Sequence, residues 1–163
     1  MSNIKKYISQ ITDNKDLSRN QSIDAFNIIM SGEAKDSQVG AFLSSLKVKG
    51  ESLNEIIGGA TVLRNNMKQV KAPNQTIDIV GTGGDSKGTF NISTTTAIVT
   101  ASCGVHVAKH GNKAVSSKSG SADILKELGV NINIDTEIIE RSLKEAKITF
   151  LNAPNHHPAM KNV

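Results

Sequence analysis

The hydrophobic pattern changes its period once, at KAPNQ (Lys71 to Gln75), and a chain that changes period must build different architectures on the two sides. Before that point the apolar residues recur at helical spacing: Ile4, Ile8 and Ile11, then Ile23, Phe26 and Met30, then Val39, Phe42, Leu43 and Leu46. Gly32 and Gly50 follow the second and third runs as stop signals. SLNE (Ser52 to Glu55) has the form of a capping box, opening a fourth helix through Ile56, Ile57, Ala60, Leu63 and Met67. After Pro73, short apolar runs alternate with helical ones. The pattern predicts a buried strand over 76–80, a helix over 93–103, a strand over 105–109, a helix over 121–128, a strand over 130–134, a helix over 136–146 and a strand over 148–151. Gly129 and Asp135 are the expected C-cap and N-cap around the third strand. The expected fold class is α/β with a helical N-terminal subdomain, divided as 1–72 and 73–163.

Charge and composition narrow the partners. Lys plus Arg number 19 against 15 for Asp plus Glu, a net charge of +4 that suits anionic ligands. A nucleic-acid module would need a basic stripe or stacking aromatics, and the lysines here are dispersed among acids, with four Phe, one Tyr and no Trp. The single cysteine, Cys103, excludes an internal disulfide; its apolar neighbours predict a buried thiol, and a reducing cytoplasm fits. The opening MSNIKKYISQITDNKD lacks the apolar core and cleavage site of a secretory signal. No later apolar run approaches ~18 residues, so no membrane association is expected.

The first predicted strand of the α/β part runs into GTGGDSKGTFNISTTT. Gly81 to Ser86 fails GxGxxG at its last position and lacks the glycine and lysine placement of a Walker loop, which excludes a generic nucleotide motif. Glycines still let backbone N–H groups approach an anion closely, and Asn91, Ser93 and Thr94 stand at a helix start, where the dipole is positive. The bland alternative is a tight turn capped by Asn91 or Ser93. Asp85 could hold ribose hydroxyls, approach a phosphate through Mg²⁺ together with Ser93, or simply cap the turn.

A second cluster, AKHGNKAVSSKSGSADIL (Ala108 to Leu125), follows another predicted strand; alone it would pass for a solvated basic loop. Both clusters fall at the carboxyl ends of strands, where open α/β sheets form ligand crevices, and a donor-rich anion pocket between them accounts for both. The third cluster, FLNAPNHHPAMKNV, carries His156 and His157, whose spacing does not suit zinc. They are expected to pack at a helix start or to sit at the mouth of the crevice.

GTGGD with TFNIST, then KHGNKAVSSKSGSADILKELG, then HHPAMKNV, in that order, resemble the anthranilate phosphoribosyltransferase family along the whole chain. The resemblance implies a nucleoside phosphorylase/phosphoribosyltransferase-like architecture. It also implies transfer of phosphoribose from phosphoribosyl pyrophosphate to the amine of anthranilate in tryptophan biosynthesis, with Mg²⁺ on the leaving pyrophosphate and a homodimer through the helical subdomain. Gly81, Gly84, Asp85, Thr89, Asn91, Ile92, Ser93 and Thr94 match one wall of the family's phosphoribosyl pyrophosphate cradle, and Ser93 also matches a metal contact. Lys109, His110, Gly111, Asn112, Lys113, Ala114, Val115, Ser116 and Ser117 match the second wall, with Ser121 beneath it. Gly81, His110, Asn112 and His157 match residues beside the aromatic substrate.

Of these, Lys109, His110 and Asn112 are the expected catalytic residues: Lys109 supplies charge, Asn112 orients anthranilate and His110 is a candidate base, although the aniline nitrogen needs no strong one. Two positions depart from the family, which usually has glycine where Ser86 stands and arginine where Lys113 stands. The lysine keeps the charge and loses a bidentate fork. Family members continue well past the position of Val163 with an Asp-Glu pair for Mg²⁺ and an arginine for the anthranilate carboxylate. The resemblance therefore implies an apparently truncated, N-terminal portion, inactive alone. The competing readings are a pyrimidine nucleoside phosphorylase-like enzyme and a non-catalytic nucleic-acid-binding module on the same fold.

Overall fold

The computed structural model describes residues 4–81, 91–114 and 120–163. The chain divides into two compact units, Met1–Met67 with His157–Val163, and Lys68–His156.

The first unit is built from α1 (Ile4–Thr12), α2 (Arg19–Met30), α3 (Asp36–Lys49) and α4 (Leu53–Asn66). Of the apolar positions read from the sequence, Ile4, Ile11, Val39, Phe42 and Leu46 enter one core together with Tyr7, Leu17, Ala25 and Ile29, and Ile8 and Phe26 pack against it, whereas Leu43, Ile56 and Met67 are exposed. Phe26 meets Phe42 edge to face at 5.5 Å, a geometry that adds about 0.5–1.5 kcal/mol to simple burial. Ser18 caps α2 and Ser52 caps α4, each in a full capping box, so the SLNE signal was sound. Gly50 ends α3 with φ +86°, a conformation glycine adopts without a Cβ penalty. Gly58 has no room for a side chain: a Cβ there would collide with Ser22 Oγ and stand 2.5 Å from Ser22 Cβ, which brings α4 close against α2.

One charged group is sealed among these helices. The Glu55 carboxylate is 2 % exposed and accepts from the N–H of Leu17 (2.9 Å), the N–H of Ser52 (2.7 Å) and the ammonium of Lys49 (3.0 Å). Lys49 also donates to Asp16 at 2.6 Å. Burial pushes the Glu55 carboxyl upward; the N–H groups of Leu17 and Ser52 and the Lys49 ammonium more than reverse this and hold it below its ordinary value. The closing 3-10 turn, Pro158–Asn162, belongs to this unit, and Asn162 donates to the Met30 carbonyl at 2.8 Å.

The second unit contains α5 (Ile92–Ser102), β1 (Val107–Gly111), α6 (Ser121–Glu127), α7 (Thr136–Glu145), β2 (Ile148–Asn152) and α8 (Ala153–His156). β1 and β2 run parallel, in register from Val107 opposite Ile148 to Gly111 opposite Asn152. Parallel neighbours need a crossover connection, which α6 and α7 provide. Ala97 and Ala101 of α5 pack on Val107, while Ala122 and Leu125 of α6 pack with Ile132 and Phe150. Gly129 follows α6 with φ +79°, and Asp135 stands at the N-cap of α7 without a side-chain cap bond.

Three expectations need correction. The segment 76–80 is not a buried strand: Ile77 makes a single parallel bridge to Val107, and Ile77 and Val80 are exposed. The next rung of that ladder would join the His110 N–H to the Ile79 carbonyl, but side chains take both groups. Asp78 accepts from the His110 N–H at 3.0 Å, and the Lys109 ammonium donates to the Ile79 carbonyl at 2.9 Å. The stretch 130–134 is no strand either. Asn131 Oδ1 accepts from the Asn133 N–H at 3.0 Å, a local bond that competes with a ladder, although Ile132 still enters the core. Cys103 is exposed, because it lies at the C-cap of α5, past the face that packs on the sheet. Among the described residues no helix is long and apolar enough to cross a membrane.

Candidate functional site

The carboxyl ends of the parallel segments gather the described part of both glycine-rich motifs. The segment through Ile77 ends at Val80 and Gly81, β1 ends at Gly111 and Asn112, and α5 begins beside them at Asn91 to Thr94. Lys109 connects the three. Its side chain rises from the middle of β1, is 2 % exposed, and donates to the Ile79 carbonyl (2.9 Å) and Ser93 Oγ (3.3 Å), with a longer bond to the His110 carbonyl (3.4 Å). Burial lowers the Lys109 pKa from its ordinary value and the charge of Asp78 partly offsets this. With its protons directed at oxygen acceptors, the ammonium is a fixed positive charge that binds the entry of the glycine bend to the start of α5.

The first turn of α5 is prepared in a particular way. Asn91 is the N-cap, its Oδ1 accepting from the Thr94 N–H at 3.2 Å. The hydroxyls of Thr95 and Thr96 bond back to the carbonyls of Asn91 and Ile92. The Thr94 hydroxyl does not: its Oγ1 is buried and has no hydrogen-bond partner among the described residues. A buried hydroxyl without a partner costs about 1–3 kcal/mol, which a ligand's polar atom would recover. Thr94 and Lys109 also line a cavity of about 350 Å³ over the sheet, walled mainly by apolar side chains such as Ala97, Ile98, Leu125 and Phe150.

The second wall has a narrow neck. Asn112 and Lys113 are exposed, and the Asn112 carbonyl accepts from the Ala122 N–H at 3.2 Å. Asp123 Oδ2 accepts from both the Ala114 N–H (3.0 Å) and the Gly120 N–H (2.8 Å). These two N–H groups, Ala114 first, hold the Asp123 carboxyl below its ordinary range.

The structure thus brings Ser93 to Lys109, sets Thr94 beside them on α5, and joins Asn112, Ala114 and Ser121 through the neck. His157 belongs to the other unit, at the start of its closing turn. Gly84, Asp85, Thr89, Val115, Ser116 and Ser117 lie outside the described residues. Sequence reasoning missed Asp78 and Asp123. Asp78 had a visible signal, a carboxylate inside an otherwise apolar strand pattern; Asp123 stands three residues past the glycine that opens α6, where an acid can reach back to the N-cap N–H. No group of three or more His, Cys, Asp or Glu that could hold a metal occurs among the described residues.

Comparison with known proteins identifies the family. The glycosyl transferase family, a/b domain, matches residues 73–163, and its helical bundle domain matches residues 5–67. Anthranilate phosphoribosyltransferase of Rhizobium etli is 50% identical over all 163 residues, which cover 48% of that protein. The enzyme of the same name from Rhodopseudomonas palustris is 51% identical over the same span, again 48% of its length. The chain therefore spans about half the length of the curated relatives it matches. Among solved structures, anthranilate phosphoribosyltransferase of Thermus thermophilus superposes with a TM-score of 0.87 at 36% identity, over 96% of this chain and 48% of that one. The Saccharomyces cerevisiae enzyme in complex with phosphoribosyl pyrophosphate and Mg gives 0.87 at 29% identity, over 98% and 49%. With both domain types matched in order along its length, the chain belongs to the glycosyl transferase family and is similar throughout to anthranilate phosphoribosyltransferases.

Proposed function

We propose that this chain carries the phosphoribosyl pyrophosphate cradle of an anthranilate phosphoribosyltransferase, a cytoplasmic enzyme of tryptophan biosynthesis. The observation that carries the reading is the buried Lys109 ammonium, joined to Ile79 and Ser93 where the two motifs meet. In the reaction the anthranilate nitrogen bonds to C1 of the ribose, the C1–O bond to pyrophosphate breaks, and the amine proton leaves to water or the departing phosphate. C1 passes through an oxocarbenium-like state, so this half of the chemistry is charge stabilisation and alignment. Lys109 and the first turn of α5 set a positive field at the leaving group, and the Thr94 hydroxyl gains a partner when an oxyanion arrives. Asn112 is the proposed neutral contact to anthranilate, and Gly81 and His110 the proposed neighbours of its ring.

Magnesium has a limited place. Ser93 offers one neutral oxygen, and the Lys109 ammonium 3.3 Å from it opposes a second cation, so the described residues form no magnesium cage. Ser93 fits as one ligand of an ion whose other ligands are waters, substrate phosphates and a carboxylate, as magnesium prefers. Bound there, the ion would neutralise charge on the leaving pyrophosphate.

A calorimetric titration with phosphoribosyl pyrophosphate in magnesium buffer is expected to show one saturable site on the 163-residue chain. Anthranilate fluorescence is expected to persist, because one neutral oxygen does not anchor the ion. Absence of binding would sink the reading, and steady turnover would show that the metal needs no further ligands. The proposed homodimer through the helical unit is supported by exposed apolar side chains on α3 and α4, with Val48 88% and Leu53 72% accessible. Sedimentation velocity is expected to show a dimer at micromolar concentration; a monomer throughout that range would remove the proposal.

A further inference from the structure

We infer that Asp123 is a positioning residue for phosphoribosyl pyrophosphate binding, a clamp that fixes the neck of the second wall; the inference rests on the proposed function.

The neck is where the chain leaves β1 at Asn112, Lys113 and Ala114 and where it returns at Gly120 and Ser121. Its two sides are in van der Waals contact. A Cβ on Gly120 would fall onto the Ala114 nitrogen and stand 2.5 Å from the Lys113 carbonyl carbon and 2.6 Å from the Asn112 oxygen. Gly111 is equally confined, with Phe150 Cε2 at 2.7 Å and Ser121 Cβ at 2.9 Å from a Cβ built there. Two opposed backbones at such contact need something to hold their N–H groups. A single oxygen does this: Asp123 Oδ2 accepts from Ala114 at 3.0 Å and from Gly120 at 2.8 Å.

The carboxylate is suited to this use. One carboxylate oxygen has lone pairs for both donors, and charge-assisted bonds are roughly twice as strong as neutral ones. Its low pKa keeps it ionised through neutral pH. That oxygen faces protein donors, so it does not itself need to touch an anionic substrate; it acts on Asn112, Lys113 and Ser121, which flank the two bonds. The fold does not hang on it, because α6 is anchored separately through Ala122 and Leu125 in the core with Phe150. A negative charge beside a phosphate cradle would otherwise oppose binding, and its use in holding backbone donors explains its presence there.

The test uses the whole chain with Asp123→Ala and Asp123→Asn. Amide hydrogen exchange by NMR reads Ala114 and Gly120 directly, and calorimetry reads affinity for phosphoribosyl pyrophosphate in magnesium buffer. In Asp123→Ala, exchange at those two amides is expected to accelerate and affinity to fall about tenfold, while the melting temperature stays close to the unaltered chain. Asp123→Asn keeps an acceptor oxygen and is expected to recover much of both. Equal affinity in Asp123→Ala and the unaltered chain overturns the inference alone. An affinity loss accompanied by general loss of protection across α6, in either variant, also overturns it, since the role would then be structural. If the unaltered chain binds no phosphoribosyl pyrophosphate, the functional reading falls and takes this inference with it.

Discussion

Replacing Lys109 with methionine is expected to reduce affinity for phosphoribosyl pyrophosphate by about a hundredfold, the largest functional loss available from one described side chain. Methionine fills much of the same volume in a site that is 2 % exposed, so packing changes little. The positive charge disappears, and the Ile79 carbonyl and Ser93 hydroxyl lose the donor that binds them. Stability should drop modestly, because removing a desolvated charge offsets part of the cost of the lost hydrogen bonds. Calorimetry with phosphoribosyl pyrophosphate measures the first effect and urea unfolding the second; unchanged affinity would show that the ammonium serves only the fold.

The pH dependence gives an independent check. Burial lowers the Lys109 pKa, with Asp78 opposing it, so the unfolded chain keeps this proton to higher pH than the folded one. The Lys109 contribution to stability therefore rises with pH, from the lowered folded pKa up to the ordinary lysine value. Affinity for an oxyanion moves the other way, because it depends on the charged form: it should decline as pH rises through the lowered pKa, below the range of an ordinary lysine. Opposite slopes in one variant-sensitive window would assign both to Lys109, and Lys109→Met should lose them together.

Much of this arrangement was legible in the sequence, and the parts that were not share a cause. Helical period, the SLNE box and the positions of Gly32, Gly50 and Gly129 are local signals, and each marks the structure where local geometry decides. β1, β2 and the helices α5 to α7 fell within two residues of expectation for the same reason. The segment 76–80 misled because its apolar alternation could not disclose that Asp78 and Lys109 would occupy the groups of the next rung, contacts about thirty residues apart in sequence. At 130–134, Asn131 signalled a local turn that alternating Val130, Ile132 and Ile134 outweighed in the pattern. Ser93 is marked by its place at a helix start and Lys109 by its motif, yet their mutual contact needs the parallel pairing of β1 to be seen. Asp123 showed only its capping position three residues past Gly120; its second partner, the Ala114 N–H, is a backbone group that leaves no side-chain signature.

Glu55→Ala is expected to cost the helical unit about 3–4 kcal/mol, the largest stability loss of any substitution considered. The Glu55 carboxylate joins three elements: it takes the N–H of Leu17 ahead of α2, the N–H of Ser52 at the start of α4, and the ammonium of Lys49 at the end of α3. Alanine leaves the buried Leu17 N–H without an acceptor, at about 1–3 kcal/mol, and removes the reciprocal half of the capping box. Lys49 keeps Asp16 at 2.6 Å, which limits the damage, because its charge is not stranded. Glutamine is a sharper probe than alanine: it preserves volume and one oxygen, but its NH₂ must face either the Leu17 N–H or both the Ser52 N–H and the Lys49 ammonium, donor against donor. Its loss should therefore approach that of alanine, and a near-neutral Glu55→Gln would show that shape, not charge, secures the junction. The Glu55 carboxyl is held below its ordinary value in the folded chain, so its stabilisation is complete above the unfolded carboxyl pKa and is lost as pH falls through the folded one. Urea midpoints followed by circular dichroism from neutral to acid pH should show the unaltered chain and Glu55→Gln converging as the carboxylate is protonated. Parallel curves would place the acid sensitivity of the helical unit elsewhere.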